Sequence, residues 1–119
     1  MTRTTGLDFA ALQVRDVDAS ATFYKDVLGL TEAPEGPPHA VVFATEPIPF
    51  AVREPMVDLD AVDRLGWGVA LWFKADDVDG VHARVVAAGR PILTEPFDGP
   101  FGRTFAFADP DGYAITVHA

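Results

Sequence analysis

Residues 10–18 read "AALQVRDVD" and residues 71–79 read "LWFKADDVD". Laid one over the other, both run from a short apolar strand into Asp-Val-Asp. The period then changes in both. After residue 18, Phe23 with Val27 and Tyr24 with Leu28 form an i, i+4 stripe, and Gly29 ends it. After residue 79, Val81, Val85 and Ala88 continue at helical spacing up to Gly89. Asp18 and Asp79 are the expected N-caps, because a short carboxylate there accepts from the free N–H groups of the first turn. Three strand-like segments follow each helix, near 30–36, 40–45 and 48–54, and again near 91–95, 103–108 and 113–118. Each half therefore reads strand–helix–strand–strand–strand. The expected class is α+β, two βαβββ modules in one domain spanning 1–119. Module one covers about 6–54, a linker about 55–66, and module two about 67–119.

The linker, "EPMVDLDAVDRLG" (54–66), carries spaced Asp58, Asp60 and Asp63. The glycine and terminal glutamate of a calcium-binding EF-hand loop are not where they belong, so a solvated acidic connector is expected. The last strand is introduced by "DPDG" (109–112), a turn in which Asp, Pro and Gly each hold a favoured position. Beyond it Tyr113, Ile115 and Val117 fall on one face, and Ala114, Thr116 and His118 on the other. The first face reads as core. The second is small and partly polar.

Composition excludes several functions. The net charge is −9. Nucleic acid and anionic membrane surfaces both require clustered Lys and Arg, so neither is an expected partner. "MTRTTGLDFA" at the N-terminus has no signal-peptide core, and no apolar run is long enough to cross a bilayer, which points to a cytoplasmic protein. Cysteine is absent, which removes disulfides, thiolate ligands and a cysteine nucleophile. The one serine, Ser20, lies in the first turn of a helix and makes an acyl-transfer triad untenable.

The segments "LQVRDVDASATFYKDVLGL" (12–30), "FKADDVDGVHARVVAAG" (73–89) and "GRTFAFADPDGYAITV" (102–117) together resemble the vicinal oxygen chelate superfamily, which includes glyoxalases, bleomycin-resistance proteins and extradiol dioxygenases. The resemblance covers nearly the whole chain. It implies paired βαβββ modules whose mixed sheet curls around a cavity, commonly completed by a second copy, so a homodimer is expected. It also implies where a metal would be held in metal-dependent members: Phe9, Val52, Ala70 and Thr116 occupy those positions here. One hydroxyl among three hydrocarbon side chains cannot hold a divalent cation. The expectation is therefore a cavity with no metal and no cofactor. That discounts the glyoxalase, extradiol dioxygenase and fosfomycin-type thiol transferase activities, which use the ion.

If those four positions face the cavity, alternation brings others with them. Trp72 and Lys74 accompany Ala70, His118 accompanies Thr116, Gln13 accompanies Phe9, and Phe50 accompanies Val52. Trp72 and Phe50 would be flat walls, with Trp67 nearby. Gln13, Thr104, Thr116 and His118 would be the few polar groups of an otherwise apolar pocket. Trp72 reads equally well as plain core. In bleomycin-binding members an aromatic before "GR" stacks on the drug, and Phe101 stands there; an aromatic or His precedes the third strand, and His39 stands there. "TEPFDGPFG" (94–102), with Phe97, reads as a loop over the cavity mouth. Phe105 and Phe107 are expected in the core, His82 on the solvated surface, and Arg103 beside a surface carboxylate.

Magnitudes favour a large ligand. Burying ~400 Å² of apolar ligand surface yields about 10 kcal/mol at roughly 25 cal/mol per Å². Association costs ~4–15 kcal/mol. The leading expectation is a non-catalytic protein that sequesters a bulky aromatic antibiotic or natural product, with no catalytic residues. The alternative is a metal-independent isomerase, cyclase or hydrolase of a polyketide-like molecule, using His39, His118, Glu54 or Lys74 as acid or base. A third reading, a degenerate interaction module, leaves Phe101 and the roomy face unexplained.

Overall fold

The computed structural model describes residues 2–119. The chain forms two compact units, one ending at Leu59 and the other beginning at Asp60. Each has its own mixed sheet and one long helix, so the α+β class and the doubled module stand.

In the first unit the elements are β1 (Ala10–Gln13), α1 (Val17–Asp26), β2 (Ala40–Phe43) and β3 (Phe50–Arg53), with sheet order β1-β3-β2. β1 runs parallel to β3 and β2 antiparallel to it. The N-cap is Asp16 rather than Asp18: its carboxylate accepts from Ala19 N at 3.0 Å. Asp18 sits instead in the first turn, where its charge complements the positive end of the helix. Phe23 and Tyr24 are buried on α1, and Tyr24 meets Phe50 at 5.0 Å between ring centroids and Phe43 at 6.2 Å. Phe43 and Phe50, directly opposite in the ladder, stack at 6.0 Å. The strand expected near 30–36 shrinks to one bridge, Glu32 to Phe43, supported by Ala33 N donating to Val42 O and Ala44 N to Thr31 O. Pro34, Pro37 and Pro38 have no N–H to donate, which stops the ladder there.

A single 3-10 turn (Leu59–Ala61) lies at the boundary. The second unit contains β4 (Leu71–Lys74), α2 (Val78–Ala87), β5 (Ile92–Gly99), β6 (Gly102–Ala108) and β7 (Ala114–His118), in the order β4-β7-β6-β5. β4 is parallel to β7, and the remaining pairs are antiparallel. Asp77 caps α2 by accepting from Gly80 N at 3.0 Å, two residues earlier than expected, as in α1. Val78, Val81 and Val85 of α2 are buried, and the helix packs against β5 and β6. Phe105, Phe107, Ile115 and Val117 complete this core, each essentially sealed from solvent. Burial of each such side chain contributes roughly 1.5–3 kcal/mol.

Two local devices shape the second sheet. The Asp109 side chain is fully buried and its Oδ1 accepts from Asp111 N and Tyr113 N, both at 2.9 Å. Arg90 donates to the carbonyls of Ala108 and Asp109 at 3.1 and 2.8 Å. Together they fix the turn that delivers β7. The second device corrects the expected mouth loop. Residues 94–102 belong to a β-hairpin, with β5 continuing to Gly99. The ladder shifts register on both sides of Thr94, and these irregularities accommodate Pro96 in a strand. Gly102 takes the left-handed φ of +86° that closes the hairpin, leaving Pro100 and Phe101 at its tip. Arg103, one rung from that tip, ties the hairpin to α2, with Nε donating to Asp79 at 3.1 Å and Nη1 to Asp98 at 3.5 Å. These bonds, the one to Asp79 foremost, hold its guanidinium above the ordinary arginine range.

Candidate functional site: the face of the second sheet away from its helix

Alternation divides the second sheet cleanly. Phe105, Phe107, Ile115 and Val117 form the buried set. The opposite face has three rows set by register: Lys74, His118 and Thr104; Trp72, Thr116 and Ala106; and Ala114 with Ala108. Phe97, opposite Thr104 on β5, extends the first row. Trp72 is 49% exposed and therefore not core. Its ring lies 5.5 Å from Phe101, edge to face, and 5.7 Å from His118. Phe101 and His118 are 6.5 Å apart. Three rings from β4, the hairpin tip and β7 thus converge on one face. His118 Nδ1 donates to the main-chain oxygen of Ala119 at 2.8 Å, because that oxygen can only accept. In the neutral ring this leaves Nε2 as an acceptor. Thr104 is buried and its hydroxyl donates to Gly102 O at 3.0 Å, which ties it to the hairpin.

At the end of the sheet where Ala108 and Ala114 pair lies an open groove of about 760 Å³. Trp67, Val69, Ala70, Leu93, Ala108 and Ala114 supply most of its wall. Small side chains on three strands create the space, and Trp67, Val69 and Leu93 make it apolar. Gly66 is required where it stands: its φ is +71°, and a Cβ there would lie 2.9 Å from the Tyr113 ring. The volume falls in the range of small-molecule sites, roughly 300–1,000 Å³.

The candidates of the first unit have other surroundings. Phe50 and Val52 are 4% and 0% exposed, and Phe50 belongs to the Tyr24–Phe43 cluster. Both lie in the core rather than on an open face, which corrects their expected cavity-facing role. Ala11 pairs with Ala51 as Trp72 pairs with Thr116, so Ala51 is the repeat partner of Thr116. The reason is the helix: α1 draws the phenyl ring of Phe50 to its own side, and Val52 follows by alternation. Gln13 Oε1 accepts from Met56 N at 2.6 Å and Val57 N at 3.2 Å, so this side chain tethers the linker. Phe9 is half exposed just before β1. His39 adopts φ +65° and its Nδ1 lies 3.2 Å from Glu54 Oε2, in a polar pocket of about 500 Å³ shared with Arg15 and Asp16.

His82 is not the solvated residue expected. Its side chain is 24% exposed, it meets Phe105 edge-on at 5.2 Å, and Nε2 lies 3.6 Å from Glu95 Oε2. It sits one turn beyond Val78, on the flank of the buried stripe. Several groove residues are not among the sequence candidates, notably Arg64, which lies in the acidic connector, and Leu93, which adjoins the register shift at Thr94. The density of apolar residues at the end of the connector (Val62, Leu65, Trp67, Val69) is the signal the sequence offers.

The profile of the Glyoxalase/Bleomycin resistance protein/Dioxygenase superfamily matches residues 6–117. The chain belongs to that superfamily. It is 33% identical over 116 residues to the anthracycline biosynthesis protein DnrV of Streptomyces peucetius, an alignment covering 86% of this chain and 42% of DnrV. The chain thus spans well under half the length of that relative. A protein of unknown function from Agrobacterium tumefaciens superposes with TM-score 0.75 and 28% identity, over 98% of this chain and 95% of the other. A lactoylglutathione lyase from the same species superposes with TM-score 0.68 and 25% identity, with the same coverage.

The resemblance assigns a metal to Phe9, Val52, Ala70 and Thr116, and the register makes Ala51 rather than Val52 the repeat partner of Thr116. One threonine hydroxyl is their whole donor set, which does not fit a divalent cation. Among the described residues no three His, Cys, Asp or Glu side chains are grouped to hold one elsewhere. No helix among them is long and apolar enough to cross a membrane.

Proposed function

We propose that this protein binds and sequesters a flat, polycyclic aromatic natural product, without metal and without turnover. The ligand lies along the α2-distal face of the second sheet, stacked on Trp72 and Phe101, with its apolar body in the adjoining groove. The observation that carries this reading is the convergence of Trp72, Phe101 and His118 on a half-exposed face beside an apolar groove. Each aromatic contact adds roughly 0.5–1.5 kcal/mol beyond area burial. The name of DnrV, which refers to anthracyclines, supports a fused-ring ligand. Thr116 and the His118 Nε2 supply the polar contacts that orient it. The biological role is protection of a cytoplasm that meets the compound. The protein acts as a homodimer, which light scattering at micromolar concentration checks: a monomer would remove that element.

The test is equilibrium dialysis of chelator-treated protein against anthracyclines and other fused-ring antibiotics, followed by denaturation and mass analysis of the released compound. Saturable binding at one ligand per chain with unchanged mass supports sequestration. A second reading, a metal-independent enzyme of polyketide-like substrates, is favoured by one pairing: Lys74 stands opposite His118 in the β4–β7 ladder, a cation beside a titratable ring. A released compound of altered structure would establish that reading instead.

A further inference from the structure

The groove carries a charge signature that its apolar walls do not require. The chain has 18 acidic and 9 basic residues, so a charged side chain placed at random on its rim would be acidic twice as often as basic. Among the described residues the only charged one lining the groove is Arg64. Its guanidinium carbon lies 4.8 Å over the ring of Trp67, itself 77% exposed, and Arg64 forms no ion pair among the described residues. On the same sheet face, beyond Trp72, stands a second cation, Lys74. Elsewhere in the second unit Arg103 pairs with Asp79 on α2 and with Asp98 on the neighbouring strand.

We infer that the ligand is an aromatic acid, and that Arg64 receives its carboxylate while the rings lie in the groove. A guanidinium over an indole face still has N–H groups to offer, and their fork matches a carboxylate with two parallel hydrogen bonds. Cation–π contact keeps the group ordered without neutralising it. The inference rests on the function proposed above and narrows its ligand class from flat aromatics to those carrying an ionised acid.

Anthraquinone-2-carboxylate and anthraquinone-2-carboxamide share rings and shape and differ in charge. Calorimetric titration of the wild-type chain with both, and of Arg64→Met, Arg64→Lys and the control Arg84→Met, separates the charge from the stacking. The expected result is that wild-type protein prefers the acid about tenfold or more, the range of a charge-assisted hydrogen bond. Arg64→Met removes that preference, so that acid and amide bind alike. Arg64→Lys restores part of it, and Arg84→Met changes nothing. Affinity for the acid falls with added salt while that for the amide does not. Equal binding of acid and amide by wild type overturns the inference and leaves stacking intact. Binding of neither probe removes both the inference and the proposed function.

Discussion

The two repeats begin from the same nine-residue pattern and end with different uses of their aromatic residues. In the first, Phe43 and Phe50 turn toward α1 and form one core cluster with its Tyr24. In the second, Phe105 and Phe107 fill the core, and a separate set, Trp72, Phe101 and His118, gathers on the opposite face. The first sheet has three strands, because prolines reduce its fourth to a bridge. The second keeps four and lengthens its edge into a hairpin that presents Phe101. One repeat has specialised in packing and the other in presenting a surface. An aromatic residue in this fold is thus informative only once its face is known.

Substitutions can break that comparison. The largest effect is expected at Phe50: Phe50→Ala should lower stability by about 3–5 kcal/mol, measured by urea unfolding, because a buried ring is lost and a cavity remains. An effect below about 1 kcal/mol would return Phe50 to the cavity side. Asp109→Ala should cost roughly 1–3 kcal/mol, since Asp111 N and Tyr113 N lose their shared acceptor inside the protein. Asp16→Ala and Asp77→Ala should cost about 1 kcal/mol each, nearly equal, because the two caps are the same device repeated. Unequal losses would show that the repeats differ at their helices as well as their sheets. Phe101→Ala should change stability least, by less than about 1 kcal/mol, as it stands 64% exposed at a hairpin tip. Its ligand affinity should nevertheless fall about five- to tenfold, the value of one stacking contact.

The sequence displayed the doubled strand–helix pattern because 3.6-residue stripes and terminal glycines are local signals. The rows of β7 were legible too, since a strict alternation behind a DPDG turn leaves little choice of face. The face of β3 was not. "IPFAVR" (48–53) is apolar at every position but the last, so its parity depends on where the strand starts and on which ring α1 attracts. The cap positions slipped by two for a related reason: Asp16 and Asp18, like Asp77 and Asp79, are both good caps, and only the chain path chooses between them. Residues 94–102 looked like a loop because Pro96 and Pro100 ordinarily break strands, and a register shift is invisible before partners are known. Arg64 was hidden by its acidic neighbours, whose composition describes a solvated connector rather than the rim of a groove.

The central claim is that the second repeat holds a flat ligand against its exposed tryptophans with no metal. The most direct measurement is titration of the intrinsic fluorescence of Trp67 and Trp72 with an anthracycline after dialysis against chelator, repeated on Trp72→Ala and Phe101→Ala. The account predicts saturable quenching at one ligand per chain in the native protein, weakened in both variants. A flat response in the native protein, or quenching that appears only when a divalent metal is restored, would contradict it.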